Sequence, residues 1–389
     1  MRAAVPGALL VLIMAQPNLA TGMMPYYRHA WALAPLLITV IFAAYLIALT
    51  PTLSLLGTPS SSASWWWRIG VGSGFGVAAD CAMALAHSPW LACAARICAG
   101  LSVGLVTGSL AGLILQRRGE GGRTAMASAT VFGSALGTFA AAALAQYLPA
   151  PGVTVYLVHA VVLGSVALLL LSDRAVRPAV AQRATPSAPI SHEPAPVGYL
   201  VGIAAWVSAG LVVALLPSYG AALLGTADLV LLALPVTLYL VAAWVAQRAL
   251  AVNALPAEPV AAQLIILVGI AIAAAVAWLP SLPLLLAGGL IAGCGQGIAY
   301  RSGLRIVSAA TAPDQHARVA ARFAAVAYLC AAVATVGFGV VATVLSMRAA
   351  VPAAIVVLAV IATATTLVRR RATARAADSL FAARTSTIA

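Results

Sequence analysis

Asp80, Arg96 and His159 each lie inside a long apolar run. Charged groups at membrane depth are costly, so they pair, face a cavity or serve a function. Arg96 stands about seven residues into its run, about 10 Å deep at 1.5 Å per residue. Asp80 occupies a matching depth in the preceding run and is the only acidic residue well inside one. The short turn at His87-Ser88-Pro89 folds these two runs into a hairpin, which lets Asp80 and Arg96 pair. Two chemistries fit: a structural ion pair that fixes the hairpin, or a coupling site at which proton binding to Asp80 alters the pair. His159, at a similar depth in a later run, either joins such a relay or serves as a structural histidine.

A second set of polar residues is the candidate substrate lining: Gln16, Asn18, Tyr26, Trp206, Tyr219, Gln296 and Tyr300. So few hydrogen-bonding groups suit an apolar or amphipathic cargo, because sugars and nucleotides require many polar contacts. Arg301 and Arg305 lie near the end of their run, where long side chains snorkel to the headgroups. Glycine recurs every fourth residue at Gly100, Gly104, Gly108 and Gly112, and again at Gly289, Gly293 and Gly297. Such stripes let backbones approach, either as static packing or as surfaces that rock beside a cavity. Trp65, Trp66 and Trp67 beside Arg68 are expected to form an interfacial anchor. The sequence carries no Walker loop, HExxH, GxSxG or Cys/His cluster, which removes support for an ATP-driven pump or a hydrolase. The reading is of a non-enzyme with no metal site and no cofactor. Cys81, Cys93, Cys98, Cys294 and Cys330 show no ligand spacing and are expected to be buried packing residues.

The elements that carry these residues follow from composition. The 389 residues are 63% hydrophobic and 7% charged, against about half and about a quarter in soluble proteins. Long apolar runs without alternation exclude a β-barrel and imply membrane helices. Spans are expected at about 4–25, 32–57, 68–87, 90–116, 124–148, 152–172, 198–223, 228–247, 260–280, 282–306, 318–346 and 350–368. The first of these resembles a secretory signal, but further spans follow at once, so it is read as a span. The net charge of +13 comes from 21 arginines and no lysine. Their place at the ends of spans argues for the positive-inside bias and against nucleic-acid binding. With the N-terminus inside, the inner segments hold 16 arginines and the outer loops only Arg28 and Arg348, which puts both termini in the cytoplasm. The arginines of the last twenty residues suit anionic lipid.

Asp173 to Val197, with five prolines and no apolar periodicity, separates two similar halves. The glycine stripes repeat at an offset of 189 residues, from Gly100 to Gly289. Arg123 corresponds to Arg318, and Pro25-Tyr26-Tyr27 to Pro217-Ser218-Tyr219. The expectation is an all-α membrane protein with twelve transmembrane helices in two six-helix bundles, an architecture of secondary transporters. Its parts are an N-terminal bundle at 1–172, a cytoplasmic linker at 173–197, a C-terminal bundle at 198–368 and a cytoplasmic tail at 369–389.

The whole chain resembles the major facilitator superfamily, and within it the bacterial drug:proton antiporter-like branch. The run Arg96-Ile-Cys-Ala-Gly100-Leu-Ser-Val-Gly104 is similar to that branch's span 4 motif. Gly133-Ser-Ala-Leu-Gly137 resembles the start of its span 5 glycine motif, and Arg318-Val-Ala-Ala-Arg322 through Tyr328 the usual opening of span 11. Between spans 2 and 3 the superfamily carries a glycine, an aspartate and a basic cluster, where this chain has Gly57, a Ser-rich stretch, three tryptophans and only Arg68. The resemblance implies a monomer in the bacterial inner, or plasma, membrane that moves a small-molecule substrate, with Arg96 in proton coupling. Proton-driven efflux of hydrophobic compounds is the leading expectation. Uptake or facilitated transport of a small metabolite, and a non-transporting membrane receptor, stay open.

Overall fold

The computed structural model describes residues 4–56, 62–118, 120–172, 195–252, 258–309 and 316–388. Where no water competes, a backbone must satisfy its own polar groups, and these apolar sequences do so as helices. Twelve are described: α1 (Val5–Ala30), α2 (Pro35–Leu56), α3 (Ser62–Ala84), α4 (Pro89–Arg118), α5 (Glu120–Tyr147), α6 (Pro151–Leu171), α7 (Ala195–Leu224), α8 (Leu229–Val252), α9 (Pro259–Ala275), α10 (Leu282–Ala309), α11 (His316–Val344) and α12 (Met347–Ile388). Each matches one expected span. Proline opens α2, α4, α6 and α9, because its missing N–H costs nothing in a first turn. Ten of the twelve are long and apolar enough to cross a membrane. The other two are α9, with 17 residues, and α3, which carries Arg68, Asp80 and several glycines.

The packing repeats between the halves. In the first, α1 packs on α4, α5 and α6, α4 on α2 and α3, and α3 on α6. In the second, α7 packs on α10, α11 and α12, α10 on α8 and α9, and α9 on α12. The halves meet along two seams, α2 on α11 and α5 on α8, which exchange under the same correspondence. Aliphatic side chains such as Val161, Leu168, Val333 and Val360 cover the outside, as expected of surfaces that face lipid.

The glycine stripes explain how neighbours come so close. A methyl group at Gly100 would strike the backbone of Tyr45 and Leu49 in α2, and one at Gly104 would strike Thr52. In the second half, Gly289, Gly293 and Gly297 lie against the backbone of Pro235, Tyr239 and Ala243 in α8. Gly133 and Gly137 seat α5 on the backbone of α1 at Val11 and Ala15. The glycines named here therefore face neighbouring helices within each half.

Several expectations change. The tryptophan triplet divides: Trp65 packs under Gly112 of α4 and Trp66 against the core, leaving only Trp67 exposed. The five cysteines are half-buried rather than fully buried. The expected tail continues α12 as helix through Ile388, and α7 begins at Ala195, inside the expected linker. The rest of that linker, 173–194, and the segment 57–61 after α2 lie outside the described residues, as do the side chains of Arg123 and Arg318.

Candidate functional site

The first half encloses a polar cluster built by α1, α2, α3, α4 and α6. Asp80 is 1% exposed, Arg96 2% and His159 7%. The Asp80 carboxylate lies between two partners: Oδ2 is 2.7 Å from His159 Nδ1, and Oδ1 accepts from Gln16 Nε2 at 3.3 Å. The same Gln16 amide donates to the carbonyl of Gly76, one turn earlier in α3. His159 Nε2 lies 3.1 Å from the carbonyl oxygen of Leu12 in α1.

That last contact bears on where the imidazole carries its hydrogens. A carbonyl oxygen only accepts, so Nε2 must carry a hydrogen for the bond to form. Nδ1 then meets Asp80 either as the N–H of an imidazolium or as an acceptor from a protonated carboxyl. Both arrangements place one proton between Asp80 and His159.

Arg96 is turned elsewhere. Its Nη1 donates to the Pro17 carbonyl at 2.5 Å and its Nε to the Ile41 carbonyl at 3.4 Å. The guanidinium also lies 4.9 Å from the ring centroid of Tyr45 and 6.0 Å from that of Phe42, within cation–π range. The expected Asp80–Arg96 contact is not made, because His159 and Gln16 hold the carboxylate while carbonyls and rings hold the guanidinium. The two groups instead line one small cavity, together with Gln16, Tyr156 and the methyls of Ala20 and Ala99. It measures about 10 Å³, about the room one water needs. Gln16 Oε1 is buried there with no hydrogen-bond partner among the described residues, and the buried Tyr156 hydroxyl faces that of Tyr27 in α1. Sequence reasoning named the three ionisable residues. It did not find Tyr156, Tyr45 or the carbonyls of Leu12 and Pro17, since an unremarkable tyrosine and main-chain groups carry no signal in composition.

The substrate candidates are dispersed. Gln16 belongs to the cluster above. Asn18 bonds the Met14 carbonyl of its own helix at 2.9 Å. Tyr26 packs edge-on to Tyr27 at the end of α1. Tyr219 is fully buried and donates to the Ala274 carbonyl at 3.1 Å, a contact within the second half. Trp206, by contrast, meets Tyr300 and Tyr328 edge-to-face at 6.0 and 4.3 Å between centroids. All three rings are half-buried, and the indole N–H of Trp206 has no acceptor among the described residues. Gln296 is buried on the same helix as Tyr300 and makes no side-chain hydrogen bond among the described residues. Tyr328 is the member that sequence reading did not single out as a substrate contact.

Three hydrogen bonds tie the halves together at one end of the bundle, where α1 and α5 finish and α2 and α8 begin. Arg28 Nη1 donates to the Ser218 carbonyl at 3.0 Å, the Leu36 N–H to Thr343 Oγ1 at 2.9 Å, and the Leu229 N–H to Gln146 Oε1 at 2.9 Å. Farther along the α5–α8 seam, Trp244 Nε1 donates to Ser128 Oγ at 3.2 Å.

Solved structures share this arrangement. A bacterial homolog of the human lysosomal transporter Spinster, inward-facing and occupied, superposes with a TM-score of 0.72 over 95% of this chain and 96% of its own, at 13% identity. The nucleoside transporter NupG superposes with a TM-score of 0.74 over 95% of this chain and all of its own, at 11% identity. The inward-facing, unoccupied form of the Spinster homolog gives a TM-score of 0.68 at 13% identity, over 95% of this chain and 96% of its own. The fold is the major facilitator fold. With it goes a multi-pass membrane protein. No family model matches the chain, and no curated protein matches it.

Proposed function

We propose that this protein is a secondary active transporter that works by alternating access. It exports small hydrophobic or amphipathic compounds in exchange for protons, as a monomer in the plasma membrane with both termini in the cytoplasm and as a member of the antiporter-like branch of the superfamily. The observation that carries this reading is the buried cluster of Asp80, His159 and Arg96. Three ionisable groups at that depth are expensive, and an Asp80–His159 pair beside a guanidinium held by carbonyls and rings has the parts of a coupling site. In this orientation the three bonds between the halves form a closed outer gate. Trp206, Tyr300, Tyr328 and Gln296 supply a mostly aromatic lining for cargo.

Everted vesicles test this. With an acid interior imposed, cargo compounds from a panel of hydrophobic antibiotics and dyes should collapse the proton gradient, and Arg96→Ala should abolish the response. No response from folded wild-type protein across the panel would overturn export by proton exchange.

One observation favours a second reading, uptake of a small metabolite. The buried N–H of Trp206 and the unbonded Gln296 amide suit a cargo with hydrogen-bond acceptors, and one protein of this fold is a nucleoside transporter. Accumulation of such a metabolite in intact cells, lost in Trp206→Phe, distinguishes it.

A further inference from the structure

Helix α1 touches every part of the cluster and also the gate. Its Leu12 carbonyl takes the His159 bond, its Gln16 amide holds Asp80 and its Pro17 carbonyl holds Arg96. At its far end Arg28 bonds the Ser218 carbonyl of α7. Between these ends lie Pro17 and Pro25, each of which removes one intrahelical hydrogen bond and loosens the helix there.

We propose that the proton shared by Asp80 and His159 is a lock on α1: bound, it clamps the cytoplasmic half of that helix and keeps the outer gate shut; released, it frees the helix and opens the gate. The hydrogen count requires this asymmetry. With two hydrogens among Asp80, Nδ1 and Nε2, both histidine contacts are made. After one proton leaves, a neutral imidazole faces a carboxylate, and its single N–H serves only one acceptor. The charge-assisted bond to the carboxylate is the stronger, so the hydrogen stays on Nδ1. Nε2 then presents a lone pair to the Leu12 carbonyl, the two repel, and α1 loses its anchor.

The ionisable groups around Asp80 are few. Helix α6 brings His159 and Tyr156, α4 brings Arg96, and α1 brings the Gln16 amide, main-chain carbonyls and, beside Tyr156, the Tyr27 phenol. Among the described side chains of helix α5, which also packs on α6, the ionisable one is Tyr147 at its far end, away from this depth. A carboxylate released by His159 has the Arg96 guanidinium across the cavity as its cationic neighbour. The proton lost from the pair is therefore replaced by a positive charge already in place.

The lock rests on the proton-coupled reading above, but its test reads the gate rather than cargo. Spin labels on cysteines introduced at Ala34 and Leu345, both exposed and beside the Leu36–Thr343 bond, report the gate distance in cargo-free nanodiscs, with the native cysteines replaced by alanine. The wild-type distribution should shift by several ångströms toward longer distances from acid to alkaline pH. Asp80→Asn keeps a donor toward Nδ1 at every pH and should hold the short distance throughout. Arg28→Ala leaves the pair intact and should give the long distance even in acid. A wild-type distance that ignores pH, or a pH response that survives in Asp80→Asn, overturns the lock. A pH-driven gate in a protein whose cargo never moves protons sustains the lock and defeats the export reading.

Discussion

The two halves set the same helix crossing to different tasks. Where α3 meets α6, Asp80 and His159 form a buried 2.7 Å contact between two ionisable groups. Where α9 meets α12, the buried contact is Gln263 Nε2 donating to Thr365 Oγ1 at 3.0 Å, a pair that cannot titrate. Likewise α1 and α2 offer carbonyls to a buried guanidinium, while α7 and α8 join Ser208 to Tyr239 by a neutral 3.0 Å bond. A neutral hydrogen bond holds helices together at all pH values. An ionisable one depends on its protonation state, so under the proposed coupling the first half is the part that responds to protons and the second is its fixed counterpart.

The strongest way to break this contrast is Asp80→Ala. It removes the partner of both His159 Nδ1 and Gln16 Nε2 in a buried site, and should cost about 3–5 kcal/mol. Thermal unfolding in detergent across pH would show it, together with loss of the pH dependence of wild-type stability. Next comes Gly293→Leu, which forces a side chain against the Tyr239 backbone and should cost about 1–3 kcal/mol from overpacking, equally at every pH. The mildest is Gln263→Leu. It deletes the neutral counterpart, should cost about 0.5–1.5 kcal/mol, and should leave the gate's response to pH intact. If Gln263→Leu changes the pH profile as Asp80→Ala does, the division of labour between the halves is wrong.

Most of the architecture was legible because membrane helices announce themselves. Each needs about 20 apolar residues, and the charged residues between them fall where loops must be. The repeat was visible in glycines because backbone contact leaves no alternative residue: nothing larger fits at Gly293 beside Tyr239. The site was legible only in part. Asp80, Arg96 and His159 stood out as charges in apolar surroundings, but spacing along a hairpin joined Asp80 to Arg96, whereas α6 brings His159 across from 79 residues away. A contact of that separation depends on how helices pack, which periodicity does not encode. The carbonyls that orient Arg96 and His159 are common to every residue and leave no trace in a sequence at all.

The glycine seams have a further meaning in terms of entropy. A leucine or methionine that packs between helices gives up rotamer freedom, from about 0.5 kcal/mol to as much as about 2 kcal/mol per side chain, whereas glycine gives up none. The contacts of Gly100 and Gly104 with α2, and of Gly289, Gly293 and Gly297 with α8, form without ordering a side chain on the glycine face. Helix pairs joined in this way lose little by staying together. The α2–α4 and α8–α10 pairs would then travel as units, and the rearrangements of a transport cycle would fall on interfaces fastened by side chains, the Arg28 contact with α7 first among them.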